Sequence, residues 1–172
     1  MSTESQGADG ARTVPAEGRY VVSRTIPATP QEVFALLTDP ARHHDTEPTD
    51  WVRGSLEEDP EPLTEVGQVF GIEMFHVNVP GRYDMHNRVI ALEQDRTVAW
   101  EPGQYGPDGE LGTGGWTWRY DLAPDTDGTR VTLTYDWSAV PAAMVESSGL
   151  PPFPPSFLEQ SLEAVERAVV AG

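Results

Sequence analysis

His76 and Tyr83 are the two residues whose types and surroundings best suit moving a proton. His76 falls in residues 69–78 (VFGIEMFHVN), where Phe70, Ile72, Met74 and His76 alternate with Gly71 and Glu73. Tyr83 falls in residues 82–92 (RYDMHNRVIAL), where Tyr83, Met85, Asn87 and Val89 alternate with Arg82, Asp84, His86 and Arg88. An imidazole titrates near neutrality and serves as general acid or base. Tyr83, Asn87 and Tyr135 could hydrogen-bond a carbonyl or phenol on the same face. That set suits a reaction in which an enolate is stabilised while a proton moves. The alternative for His76 is a hydrogen-bonded histidine at the end of a strand.

His43-His44-Asp45 invites a metal reading. Adjacent helical residues point about 100° apart, so the two imidazoles diverge, and no HxH or HxxxH spacing supports them. No metal site is expected. The pair reads as a polar helix end at the rim of a pocket, and His86 as facing outward.

Several chemistries are excluded by what is missing. All 11 basic residues are arginine, against 28 acidic ones, for a formal net charge of -17; lysine and cysteine are absent. There is therefore no Schiff-base lysine, P-loop, thiol nucleophile, disulfide or thiolate metal site. A pI near 4.3 argues against nucleic acid and anionic membrane. It also favours neutral or cationic ligands over fatty-acid anions. No cofactor is indicated. Arg24 and Arg88 read as salt-bridged scaffold or as carboxylate anchors. The six glycines of residues 102–115 form no phosphate cradle, since neither lysine nor helix follows; this stretch is read as a long loop, either mobile at a pocket mouth or an ordinary hairpin connection.

The elements that must position these residues follow from periodicity. Residues 1–18 are polar and are read as a disordered leader, with a single domain over 19–172 and no signal sequence. Residues 20–26 (YVVSRTI) form a first strand ending at Pro27. Thr29 then caps a short amphipathic helix that begins at Pro30 and stops near Asp39-Pro40, and residues 41–47 add a further helical turn or two. Residues 97–101 are a short strand. Trp116, Trp118, Tyr120 and Leu122 alternate with polar residues, as do Val131, Leu133, Tyr135 and Trp137, with Asp127-Gly128 in the connection. This is an antiparallel hairpin with one aromatic face. After the proline-rich residues 149–155, residues 157–170 form a helix with Leu158, Leu162, Val165 and Val169 on one stripe. The class is α+β.

One helix with four large apolar side chains must cover a sheet face bearing Phe70, Met74, Tyr83, Met85, Trp100, Trp116, Trp118, Tyr120, Leu133, Tyr135 and Trp137. Either these aromatics close the core themselves, or part of the face is left as a ligand cavity, with Phe153 capping its opening.

At this point residues 22–42 (VSRTIPATPQEVFALLTDPAR) resemble the opening of the START-related polyketide cyclase/dehydratase and lipid-transport superfamily (SRPBCC). An aliphatic strand, Ala28-Thr29-Pro30, Val33-Phe34 and Asp39-Pro40 follow one another as they do there. Residues 66–70 (VGQVF) resemble its third strand, 97–100 (TVAW) the strand after its Glu-Pro turn, and 157–170 its gripping C-terminal helix. Thr46 stands where many members have tryptophan, and Met74 where a small or polar residue is usual. The resemblance implies a helix-grip fold: a curved antiparallel sheet of about seven strands around the C-terminal helix, with two short helices after the first strand. It also implies a hydrophobic cavity lined by the residues named above, Leu158 and Leu162 included. The expected function is binding of a hydrophobic or aromatic small molecule, lipid or polyketide-like. The alternatives are a cyclase, aromatase or dehydratase using His76 and Tyr83, or an accessory domain with a filled core. A cytoplasmic monomer or homodimer, without membrane insertion, is expected.

Overall fold

The computed structural model of the chain describes residues 12–13, 18–49, 51–75 and 82–171. Strand β1 (Arg12–Thr13) lies within the expected leader and pairs antiparallel with β2 (Arg19–Ile26). Helix α1 (Pro30–Leu37) starts as its sequence dictates. Thr29 Oγ1 accepts the Glu32 backbone N–H at 3.1 Å, and Glu32 Oε1 accepts the Thr29 backbone N–H at 2.9 Å. This reciprocal pair satisfies two of the helix's orphan donors, and Pro30 occupies a position where no donor is missed. A 3-10 helix, Pro40–Thr46, follows, with the Asp39 carboxylate accepting from the Ala41 N–H at 3.1 Å.

The chain then lays down β3 (Val52–Ser55), β4 (Val69–Phe75), β5 (Arg82–Glu93), β6 (Thr97–Tyr105), β7 (Leu111–Thr113), β8 (Thr117–Asp125) and β9 (Gly128–Asp136). Two helices close it, α2 (Ala142–Ser148) and α3 (Ser156–Ala171). The sheet is antiparallel in the order β1-β2-β9-β8-β6-β5-β4-β3, with β7 pairing β6. Without the two shortest strands, β1 and β7, it has seven, the expected number. Register shifts between Val52 and Gly54 and between Val89 and Ala91 interrupt the ladder. Such irregularities bend strands, and here they serve the curl of the sheet around α3.

The two faces separate as the alternation predicts. Opposite one another on the concave face stand Trp118 and Tyr135, Tyr120 and Leu133, and Leu122 and Val131. Leu158, Leu162 and Val165 of α3 are fully buried against this face together with Val22, Val33, Leu37 and Ile72. The convex face carries paired charges: Arg88 Nη2 meets Glu101 Oε2 at 2.6 Å, and Arg82 meets Glu73 at 2.8 Å. Arg24 grips Glu166 of α3 at 2.7 Å. Arg24 and Arg88 are thus both ion-paired, as scaffold residues would be.

The glycine-rich stretch corrects the loop expectation. Residues 103–105 extend β6, which pairs with β7 through Gly103 opposite Thr113 and Tyr105 opposite Leu111. The strands come so close that a Cβ on Gly103 would stand 2.6 Å from the Gly112 carbonyl oxygen. Between them Pro107 and Asp108 form a tight turn closed by the Gly109 N–H on the Gly106 carbonyl at 2.9 Å. The glycines thus permit close backbone pairing, and the segment is an ordinary hairpin and not a loose flap.

Gly128 shows the same dependence at the β8–β9 turn. Its φ of +139° is a glycine conformation, and a Cβ there would collide with the Ile26 carbonyl oxygen. Gly128→Ala should therefore destabilise the protein by about 3 kcal/mol. Urea unfolding followed by tryptophan fluorescence would read this as a lowered midpoint with unchanged slope, and an unshifted midpoint would contradict it.

Candidate functional site

The concave face is wider than α3. Where the helix stops covering it, a cavity of about 230 Å³ opens between the sheet, the 3-10 helix and the segment leading into α3. Strand β5 sends Tyr83, Met85 and Asn87 into it at every second position, the expected period. Met74 and Ile72 of β4, Trp100 and Pro102 of β6, Trp118 and Tyr120 of β8, and Tyr135 of β9 complete the sheet side, with Trp116 just ahead of β8. Leu150, Pro152, Phe157 and Ser161 close it from the helix side.

Five of the expected cavity residues stand behind or beside this lining. Phe70, Leu158 and Leu162 are buried in the core. Trp137 packs edge-on to Tyr20 at 4.9 Å, away from the opening. Phe153 lies in a ring cluster beside the cavity, stacked on Phe157 at 4.7 Å and within 5.8 Å of Trp51, Trp118 and Tyr135. His76, with the rest of residues 76–81, lies outside the described residues. Tyr83 is described: its hydroxyl oxygen accepts the Trp51 indole N–H at 2.6 Å, leaving its own proton available.

The histidine that does reach the cavity is His43. It is buried, stacked on Trp100 with ring centroids 5.1 Å apart and edge-on to Phe70 at 5.3 Å. Its Nε2 lies 2.8 Å from the Leu37 carbonyl oxygen. A carbonyl only accepts, so Nε2 carries the proton. Burial pushes the imidazole pKa down from its ordinary value, against the opposing pull of the Leu37 hydrogen bond and the Asp39 charge. The ring is therefore neutral near pH 7, and its Nδ1 is a lone-pair acceptor.

The error in reading His43 as a rim residue lay in the helix type. In a 3-10 helix residues three apart eclipse one another. Pro40, His43 and Thr46 thus share one face; Pro40 and His43 are buried, while Thr46 lines the cavity with its neighbour Glu47. His44 points elsewhere and is exposed, against Asp45. Among the described residues no group of three or more His, Asp or Glu side chains is placed to hold a metal ion. The Asp39-Pro40 start and the period of three were the sequence signals for His43 and Thr46. Trp51, preceding the short β3, carried no periodic signal.

Two more features complete the buried end. The Thr46 hydroxyl donates to the His43 carbonyl at 2.8 Å, near the Tyr120 phenol. Burial raises the Tyr120 pKa, as does the Glu47 charge, so the phenol keeps its proton; burial likewise raises that of Tyr135. Asn87 is 7% exposed, and its Oδ1 is the buried side-chain oxygen that lacks a hydrogen-bond partner among the described residues. Such orphans are uncommon in folded proteins.

The neutral buried imidazole gives folding a pH dependence with a definite sign. Below its ordinary pKa, about 6.5, the unfolded chain takes up a proton that the folded chain resists, so acid favours unfolding. Between about pH 7 and 5, wild type should lose stability faster than His43→Gln, by a slope of up to about one proton. Urea midpoints across that range measure it, and parallel slopes would refute it.

The site can be compared with known proteins. An uncharacterised protein of Mycobacterium tuberculosis, Rv0088, is 33% identical over 126 residues, which make up 73% of this chain and 50% of that one. The chain thus spans about half the length of the curated relative it matches. Protein NE0264 of Nitrosomonas europaea superposes with a TM-score of 0.67 at 15% identity, over 92% of this chain and 97% of that one. DynU16, a protein of the dynemicin biosynthetic locus, does so with a TM-score of 0.56 at 15% identity, over 90% of this chain and 48% of that one. No helix among the described residues is long and apolar enough to cross a membrane. The family model for polyketide cyclase / dehydrase and lipid transport matches residues 17–170, and with its curled antiparallel sheet closed on a C-terminal helix the chain belongs to that family.

Proposed function

We propose that the protein binds a hydrophobic, aromatic small molecule, a lipid or polyketide-like metabolite, in the cavity beside α3. The observation that carries this reading is an open volume of about 230 Å³ walled by rings and thioethers, with a buried polar end. Small-molecule sites usually span ~300–1,000 Å³ and have this makeup, apolar walls with a few fixed polar groups. The volume suits two or three fused rings. A void of that size left by truncating a packed core would cost on the order of 5 kcal/mol, comparable to the whole stability of a domain. An accessory domain with a filled core leaves that volume without a purpose.

Two features bear on which ligand enters. Among the described residues the cavity lining includes the Glu47 carboxylate and no arginine, which disfavours an anion. The rings at the half-buried end, Trp51, Trp118 and Phe157, offer flat faces to an aromatic guest.

Protein purified under native conditions from its own host should carry a small molecule visible by native mass spectrometry. In Met85→Trp, which fills the cavity from β5, occupancy should fall at least about tenfold. Equal occupancy in both proteins, or none in wild type, would overturn the proposal.

A second reading, catalysis of cyclisation or dehydration, is favoured by one observation, the neutral His43 ring whose Nδ1 is free to take a proton. On that reading His43→Gln should slow turnover of a linear poly-β-ketone by about 100-fold or more. Turnover at the wild-type rate would remove it.

A further inference from the structure

We infer that the buried end of the cavity selects a ligand by a neutral hydroxyl, as in a phenol, and rejects the corresponding ether and carboxylate. This rests on the binding proposed above and specifies the head group of its ligand.

The inference comes from following each proton. The Thr46 hydroxyl donates to the His43 carbonyl at 2.8 Å, so its own proton is spent. The His43 Nε2 proton is committed to Leu37 at 2.8 Å, and Nδ1 is left as an acceptor. Asn87 Oδ1, a further acceptor, is buried without a partner. Two acceptors, His43 Nδ1 from the 3-10 helix and Asn87 Oδ1 from β5, thus stand beside the Phe70–Trp100 pair. A buried acceptor left unpaired is costly, and a ligand that pairs it gains affinity.

A hydroxyl answers this arrangement on both sides. It donates one proton to an acceptor, while its oxygen can receive from the Asn87 amide or from the Ser161 hydroxyl, which rotates to suit. Tyr135 is equally free to rotate. An ether or ketone brings no proton and leaves the acceptors unpaired. A carboxylate brings only more lone pairs, and it would sit near Glu47. That carboxylate is held in place by the Thr49 hydroxyl at 2.6 Å, the Thr49 N–H at 3.0 Å and the Val52 N–H at 3.3 Å. Its negative charge repels an anion.

The chain also spaces the two polar ends. Tyr83 and Asn87 lie four residues apart on one face of β5, roughly 13 Å along the strand. Tyr83, its oxygen engaged by Trp51, has a proton to donate at the half-buried end. A flat molecule with a hydroxyl at its inner end and an acceptor at its outer end matches both.

The test compares 2-naphthol, 2-methoxynaphthalene and 2-naphthoate by quenching of tryptophan fluorescence in the full chain near neutral pH. Wild type should bind 2-naphthol about tenfold more tightly than the ether, and 2-naphthoate more weakly than either. Asn87→Leu and His43→Phe each remove an acceptor by a different route. In each, the preference for naphthol over ether should shrink to about twofold, while affinity for the ether holds or rises. Equal binding of naphthol and ether by wild type, or a preference that survives in both variants, would overturn the inference while leaving the cavity a binding site. Failure of all three probes to bind would overturn the inference and count against the proposed binding as well.

Discussion

One sixteen-residue helix has to cover the concave face of a sheet seven strands wide, and its apolar stripe is too narrow. Most other features of the molecule follow from that mismatch. The sheet curls, with the help of its irregular strand pairings, to bring more of its face against the helix. Leu158, Leu162 and Val165 close the end near α1, where Val33 and Leu37 add to the packing. Beyond the reach of the stripe the aromatic side chains of β5, β6, β8 and β9 face one another across open space. The convex face is freed from packing and carries charge, with arginines such as Arg88 and Arg82 tied to glutamates on neighbouring strands. The acidic excess thus sits outside a molecule whose inner face is aromatic.

The 3-10 helix gives the cavity its polarity. It follows α1 directly, and Asp39 caps its first turn. Its tighter winding turns Pro40, His43 and Thr46 to one side. The first two seal the core, and Thr46 lines the cavity. His43 is stable there only as a neutral ring, because it is stacked between Trp100 and core side chains with a carbonyl holding its one proton. The consequence is an acceptor-rich end in an otherwise apolar compartment, reached past the rings of Trp51, Phe157 and Trp118.

Much of this was legible in advance where a residue's environment follows from its neighbours in the chain. Thr29 and Glu32 announce a capping box, Pro30 a first helical turn, and the Trp116–Leu122 and Val131–Trp137 alternations a hairpin with an aromatic face. Tyr83, Met85 and Asn87 were assigned to the cavity face by period alone, and the structure turns them there. The glycines of residues 102–115 were misleading because the absence of side chains is compatible with a flexible loop and with very close strand pairing. Which one forms depends on the partner strand, here Gly112 against Gly103. His43 was misjudged because α-helical angles were applied to a segment that winds as a 3-10 helix.

The sequence by itself determined the class of fold, the side of each strand that faces inward, and the set of groups available for chemistry: no lysine and no cysteine, but histidine, tyrosine, hydroxyls, amides, arginine and carboxylates. These are properties of composition and of periods of two and 3.6, which local geometry enforces. Only the tertiary structure decided which of those groups meet. Phe70, Leu158 and Leu162 went to the core and His43 to the cavity, because the curvature of the sheet and the placement of one helix set where packing ends. Which nitrogen of His43 carries the proton was decided there too, since it depends on the Leu37 carbonyl that the turn from α1 into the 3-10 helix brings to the ring.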